Sequence, residues 1–198
     1  MKEYTIVKCS GKPDWNAVPT LQIDWLYNTE SCDVQAWAQL CYSEEALHVK
    51  LSAREMEIRA EHMGPLGEIC EDSCLEFFLS PIADDSRYFN IECNPNGAMY
   101  LGFGSNVRNL QRLIPEEPSI RPQPKRTEDG WEVTYDIPYN FIRLFFPRFS
   151  PASGYGVRAN CYKCADLSSH PHWLCWSPVT KQPCAFHNPS AFGTMVFE

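Results

Sequence analysis

The stretch Val34–Ala53, VQAWAQLCYSEEALHVKLSA, decides how the rest of the chain is read. Val34, Ala36, Ala38 and Leu40 fall at every second position, with Gln35, Trp37 and Gln39 between them. Ser43-Glu44-Glu45-Ala46 has the chemistry of a turn, after which Leu47, Val49, Leu51 and Ala53 resume the spacing. Successive side chains of a strand point to opposite faces, so a period of two describes a half-buried strand; a helix repeats near 3.6. Two such runs across a short turn make an antiparallel hairpin.

The same spacing recurs along the chain. In EDSCLEFFLSP (71–81), Leu75, Phe77 and Leu79 share one face, and Cys74, Glu76 and Phe78 share the other. RYFNIECNPNGAMYLGFG (87–104) predicts a second hairpin turning at Asn94-Pro95-Asn96-Gly97. Its first strand sets Phe89, Ile91 and Cys93 against Asn90, Glu92 and Asn94. GWEVTYDIP (130–138) places Trp131, Val133, Tyr135 and Ile137 on one face. GYGVRANCYKC (154–164), HWLCWSP (172–178) and GTMVFE (193–198) complete the strands. Helical spacing is confined to YNFIRLFF (139–146) and EMEIRAEHM (55–63). Residues 106–130, with four prolines, read as a long surface loop whose basic segment RPQPKR (121–126) is solvated. The expected fold is all-β: an antiparallel β-sandwich, jelly-roll or immunoglobulin-like, with one or two short helices, forming one domain over residues 1–198.

A chain of 198 residues that is 44% hydrophobic can bury a core without staples. Its net charge of −8 argues against a nucleic-acid partner, which demands a basic surface. No apolar run approaches the ~20 residues of a membrane span. The opening MKEYTIVKCSGKPDW lacks the apolar core of a secretory signal, so the expected location is cytoplasmic, or extracytoplasmic if a signal has been removed. The ten cysteines read as reduced, mostly buried thiols.

Three groups of residues carry the chemistry. Glu76 and Glu92 fall on outward faces of neighbouring strands; glycosidases use two carboxylates ~5–9.5 Å apart, but a solvated or hydrogen-bonded polar face uses the same residues. The segment from Cys161 to His187, with Cys164, His170, His172, Cys175 and Cys184, offers ligands for zinc. A strand through 156–164 would nevertheless turn Cys161 and Cys164 to opposite faces. Finally, carboxylates and amides close to aromatic residues suit a sugar, whose hydroxyls need hydrogen bonds and whose ring faces need apolar cover. No GxSxG elbow, P-loop or GxGxxG is present.

The order of several motifs resembles the family 9 carbohydrate-binding modules, and more closely the family-9-like (DOMON-like) bacterial proteins. KPDW (12–15), residues 36–53, DSCLEFFLSP (72–81) and YFNIECNPNG (88–97) match in order. DGWEVTYDIPYNFI (129–142), NCYKCAD (160–166), HPHWLCWSPV (170–179) and FHNPSAFGTMVF (186–197) follow them. The resemblance implies a non-catalytic β-sandwich that binds a mono- or oligosaccharide, often at a reducing end. It implies a place in polysaccharide or glycoside catabolism, with glycan-degrading enzymes as partners. Glu76 matches the ligand-contacting glutamate, and Asn90 stands where the family has a basic residue. Phe186, beside His187, replaces one of two sandwiching tryptophans. The other falls at Ile69–Cys70 and is missing, leaving Trp173 as a substitute platform and Trp176 as a core residue. Glu92 joins the polar set, with His172 and His187 at the rim. Calcium is a cofactor in the family, and Asp84 and Asp85 are its candidates here, with Glu71 and Asp72 as weaker ones. The rival readings are a haem- or metal-binding domain, an interaction domain with a decayed sugar site, and a glycoside hydrolase using Glu76 and Glu92.

Overall fold

The computed structural model describes residues 2–27, 30–179 and 185–198. Its strands are β1 (Glu3–Lys8), β2 (Thr20–Ile23), β3 (Trp25–Leu26), β4 (Gln35–Tyr42), β5 (Ala46–Arg54), β6 (Cys74–Ser80) and β7 (Tyr88–Cys93). They continue with β8 (Met99–Gly104), β9 (Gln111–Arg112), β10 (Gln123–Arg126), β11 (Gly130–Pro138), β12 (Gly156–Cys164), β13 (Trp173–Cys175) and β14 (Gly193–Phe197). One α-helix occurs among the described residues, α1 (Tyr139–Phe145), which follows Pro138, whose fixed φ suits a helix start.

The strands make two layers. One runs β10-β11-β5-β4-β1, and the other β1-β14-β12-β6-β7-β8-β9, so β1 belongs to both. The hairpin at 34–53 forms as expected, with Leu40 opposite Val49 and Ala38 opposite Leu51. Between the layers lie Leu40, Val49 and Leu51 from one sheet and Leu75, Phe77, Phe89 and Ile91 from the other. Phe77 is fully buried there, so truncation to alanine would cost about 3–5 kcal/mol.

Two glycines serve this geometry. Gly97 (φ +78°) closes the β7–β8 turn, its amide donating to the Asn94 carbonyl at 3.0 Å. Gly193 lies against the Trp176 ring, where any Cβ would collide, so the bare backbone lets that tryptophan fill the core.

Three expectations need correction. The sandwich is not purely antiparallel: β1 runs parallel to β14 and to β4. Residues paired across β1 and β14, such as Glu3 and Thr194, are 191 positions apart, so no tight turn dictates the strands' relative direction. Residues 55–63 are not helical. Their amides look outward for partners, Glu55 N to the Asp129 carbonyl and Glu61 and His62 N to the Asp72 carboxylate. The basic segment 121–126 is not all loop, since Gln123–Arg126 pairs with β11 as an edge strand. An edge tolerates Pro124, which has no N–H to contribute, and its exposed Lys125 and Arg126 discourage further pairing. No helix among the described residues is long and apolar enough to cross a membrane.

Candidate functional site

The outward face of β6, β7 and β12 is not bare. The turns Ile69–Glu71, Ala185–His187 and Pro189–Ala191 lie on its side of the sandwich and bring a second apolar layer. Phe78, Tyr88, Tyr162, Cys175, Val179 and Phe192 form one part of it. Ile69, Cys74, Ala98 and Cys164 form the other, and Phe186 packs against both.

Glu76, Asn90 and Glu92 are brought together in this layer. Glu76 and Glu92 stand directly opposite each other across β6 and β7, and Asn90 donates from Nδ2 to Glu92 Oε1 at 2.9 Å. Glu76 accepts from the Cys164 thiol at 3.0 Å. Of the solvated or hydrogen-bonded polar face that was expected, the hydrogen-bonded form is found, since Glu76 is only 3% exposed, Glu92 8% and Asn90 0%. Burial, and then the Glu92 carboxylate opposite, push the Glu76 carboxyl well above the usual range. Burial raises Glu92 to about 7, against the opposing pull of the Asn90 amide. Asn90 Oδ1 has no hydrogen-bond partner, although a buried acceptor normally has one.

The aromatic walls are partly as expected. Phe186 lies on Tyr162 with ring centroids 4.1 Å apart. Trp173 packs against the Cys74–Cys164 cluster and fixes its indole N–H on Asp166 Oδ1 at 2.7 Å. Ile69 is buried and Cys70 half-buried in the same cluster, where the absent tryptophan was to stand. Tyr100 and Arg112 were missed by the sequence reading. The guanidinium of Arg112 sits 4.5 Å over the Tyr100 ring and reaches Glu68 at 3.0 Å. Tyr100 alternates with Leu101 on β8, a signal that its ring shares the Glu92 face.

The two histidines part company. His187 takes part in a 2.9 Å hydrogen bond with the Tyr88 hydroxyl and lies over Phe78, where burial lowers its imidazole to about 4. His172 is not at this site, which corrects its rim position. It is 2.9 Å from Lys163 Nζ, on the face of β12 opposite Cys164. Lys163, fully buried, pairs with Glu55 at 3.1 Å, and Glu55 also accepts from Trp131 Nε1 and Ser73 Oγ. Glu55 and His172 line a separate cavity of about 530 Å³ between residues 54–57 and 168–172.

The proposed metal ligands also disperse. Asp84 pairs with Arg148 and Asp85 with Arg87, and these guanidinium hydrogen bonds lower both carboxyls. Asp72 is an internal anchor, accepting from the amides of Glu61 and His62 and from Asn94 Nδ2. Glu71 pairs with His62. Cys161 lies between the sheets, Cys175 reaches the Trp25 carbonyl, and His170 is exposed beside Glu57. Cys184 lies outside the described residues. Thus the described members of the His/Cys segment do not meet at one centre, as zinc or haem would require.

The chain belongs to carbohydrate-binding family 9, whose model matches residues 13–197. No curated protein matches it significantly. A Bacteroides uniformis ATCC 8492 protein, to which carbohydrate binding has been ascribed, is 25% identical and superposes with a TM-score of 0.85 over 100% of this chain and 99% of that one. A family 9 module of Caldicellulosiruptor kristjanssonii in complex with cellotriose is 16% identical, with a TM-score of 0.73 and coverage of 100% and 94%. Its glucose complex gives 16%, 0.72, 100% and 96%. The two Caldicellulosiruptor complexes, at their low identity, establish the shared β-sandwich.

Proposed function

We propose that the chain is a single non-catalytic domain that binds a mono- or oligosaccharide on the outward face of β6, β7 and β12. The observation that carries this reading is the convergence of Glu76, Asn90 and Glu92 below Phe186 in a chain of carbohydrate-binding family 9. Asn90 Oδ1, an acceptor lacking a donor, is the group a sugar hydroxyl would satisfy. Tyr100 and Arg112 border the polar floor, while Phe186 and Trp173 supply apolar cover. Glucose and cellotriose, the sugars in the two Caldicellulosiruptor complexes, are the first to try.

The carboxylates suit holding better than cutting. A glycosidase places its pair on either side of the scissile bond. Glu76 and Glu92 are side by side on one sheet face, and each already has a hydrogen-bond partner. The buried free thiols support a reducing, cytoplasmic setting, and the sugar specificity of such modules supports partnership with glycan-degrading enzymes.

Calorimetric titration with glucose, xylose, cellobiose and cellotriose tests the reading, alongside Glu76→Gln and Asn90→Ala. Binding by the wild type with at least a tenfold loss in each variant supports it. A folded protein that takes none of these sugars at millimolar concentration removes it.

A further inference from the structure

Carbohydrate binding leaves the thiols on this face unused. Cys74 and Cys164 stand directly opposite each other in the antiparallel β6–β12 pair. Their two sulfur atoms and a carboxylate oxygen of Glu76 all lie within 4.8 Å of one another, and all three residues are buried. Cys70, four positions before Cys74, packs against the same cluster, with its carbonyl oxygen 3.7 Å from Cys164 Sγ. Two thiols and a carboxylate from β6 and β12 therefore meet at one point, with Cys70 beside them on the turn Ile69–Glu71.

We propose that Cys74, Cys164 and Glu76 form a binding site for a thiophilic divalent cation, zinc in the first instance, with Cys70 supplying the fourth ligand. Soft sulfur donors select zinc over calcium or magnesium. The Cys70–Cys74 spacing falls within the range that zinc sites use between paired cysteines. With Zn–S near 2.3 Å and Zn–O near 2.0 Å, the edges of a tetrahedral site measure about 3.5–3.8 Å. The present separations reach up to 4.8 Å, so uptake of the ion would draw the ligand atoms together. Each thiol gives up its proton as it becomes a ligand, so uptake releases protons and weakens in acid. The buried Lys163 ammonium, 2.9 Å from the Cys164 carbonyl oxygen, offsets part of the negative charge so created.

This site differs from the His/Cys segment weighed in the sequence, of which it uses only Cys164. It also sets a competition, because a cation on Glu76 takes away an oxygen that the proposed sugar site uses.

The test is cobalt titration of the full chain, reduced and stripped of metal. The expected result is one equivalent bound, with a thiolate-to-cobalt charge-transfer band and tetrahedral visible bands, both abolished by added zinc. Cys74→Ser and Cys164→Ser should each lower affinity at least tenfold, while Cys161→Ala, on the opposite face of β12, should leave it unchanged. If the serine variants fail to fold by circular dichroism, Cys70→Ser and Glu76→Gln carry the test, each expected to weaken binding severalfold. A folded, reduced wild type without the charge-transfer band overturns the proposal. So does a band that survives Cys74→Ser and Cys164→Ser. A Cys74–Cys164 disulfide found by mass mapping, with no cobalt uptake after reduction, also overturns it. Glucose titration of the metal-free protein is read separately, so failure of either site is distinguishable from failure of the other.

Discussion

Phe186 lies nearly flat on Tyr162, with planes 17° apart, and the Tyr162 hydroxyl donates to the Phe186 carbonyl oxygen at 2.9 Å. Strand β12 thus holds this aromatic from below, through its ring and through its backbone. Phe186→Ala should reduce glucose affinity about tenfold or more by removing the platform. Tyr162→Phe keeps the stack and loses one hydrogen bond, about 0.5–1.5 kcal/mol, so a two- to tenfold loss is expected. Isothermal titration calorimetry of both variants, with circular dichroism to verify folding, checks the order of the two effects.

The Lys163–Glu55 pair makes a sharper demand on stability. Lys163→Met leaves a buried carboxylate without its cation and should cost about 3–5 kcal/mol. Adding Glu55→Gln should recover much of that loss, because the second charge leaves as well. Urea unfolding of the two single variants and the double variant gives the coupling directly; equal and additive losses would refute it.

Asp72 receives three N–H groups, from Glu61, His62 and Asn94. Asp72→Ala orphans the Glu61 and His62 amides and unties those two residues from the start of β6, while Asn94 Nδ2 keeps the His62 carbonyl as acceptor. A loss of about 2–4 kcal/mol is expected, with amide exchange accelerating first at Glu61 and His62.

The spacing of apolar residues made the layers legible, because burial of a sheet face writes itself directly into alternate positions. Leu75, Phe77 and Leu79 were assigned to the core by that logic, as were Trp131, Val133, Tyr135 and Ile137, and all lie there. What alternation cannot show is what covers the other face. Glu76 read as outward-facing, which it is, but segments more than 100 positions later fold over it. Lys163 and Glu55 were invisible for a related reason. A charged residue is buried only because a distant partner meets it, and nothing local announces the partner. The proposed site was legible as a set of strand residues, Glu76, Asn90 and Glu92, while the misplaced member, His172, immediately precedes the short strand Trp173–Cys175 and turns to the face opposite the one Trp173 takes.

His187 offers a test by pH. Its imidazole falls to about 4 in the folded chain, against about 6.5 when unfolded. Between those values the unfolded chain binds more protons, so the contribution is complete above about pH 6.5 and is lost as pH falls toward 4. In His187→Gln that dependence disappears. The unfolding free energy of the wild type minus that of the variant should rise by up to about 3 kcal/mol from pH 4 to pH 7. Other titrating groups are common to both proteins and cancel in the difference. A flat difference, or an imidazole resonance with its midpoint near 6.5, would show that the ring is hydrated.

Strand β1 belongs to both layers, yet it joins the second only through β14, with Glu3 beside Thr194 and Ile6 beside Phe197. A nascent chain must therefore carry its first strand, with one edge unsatisfied, until residues 193–197 have left the ribosome. Nearly the whole domain is synthesised before the sandwich can be sealed. Unpaired edges are where partly made chains adhere to one another, so this interval is when a chaperone is most needed. Truncating β14 would leave that interval permanently open.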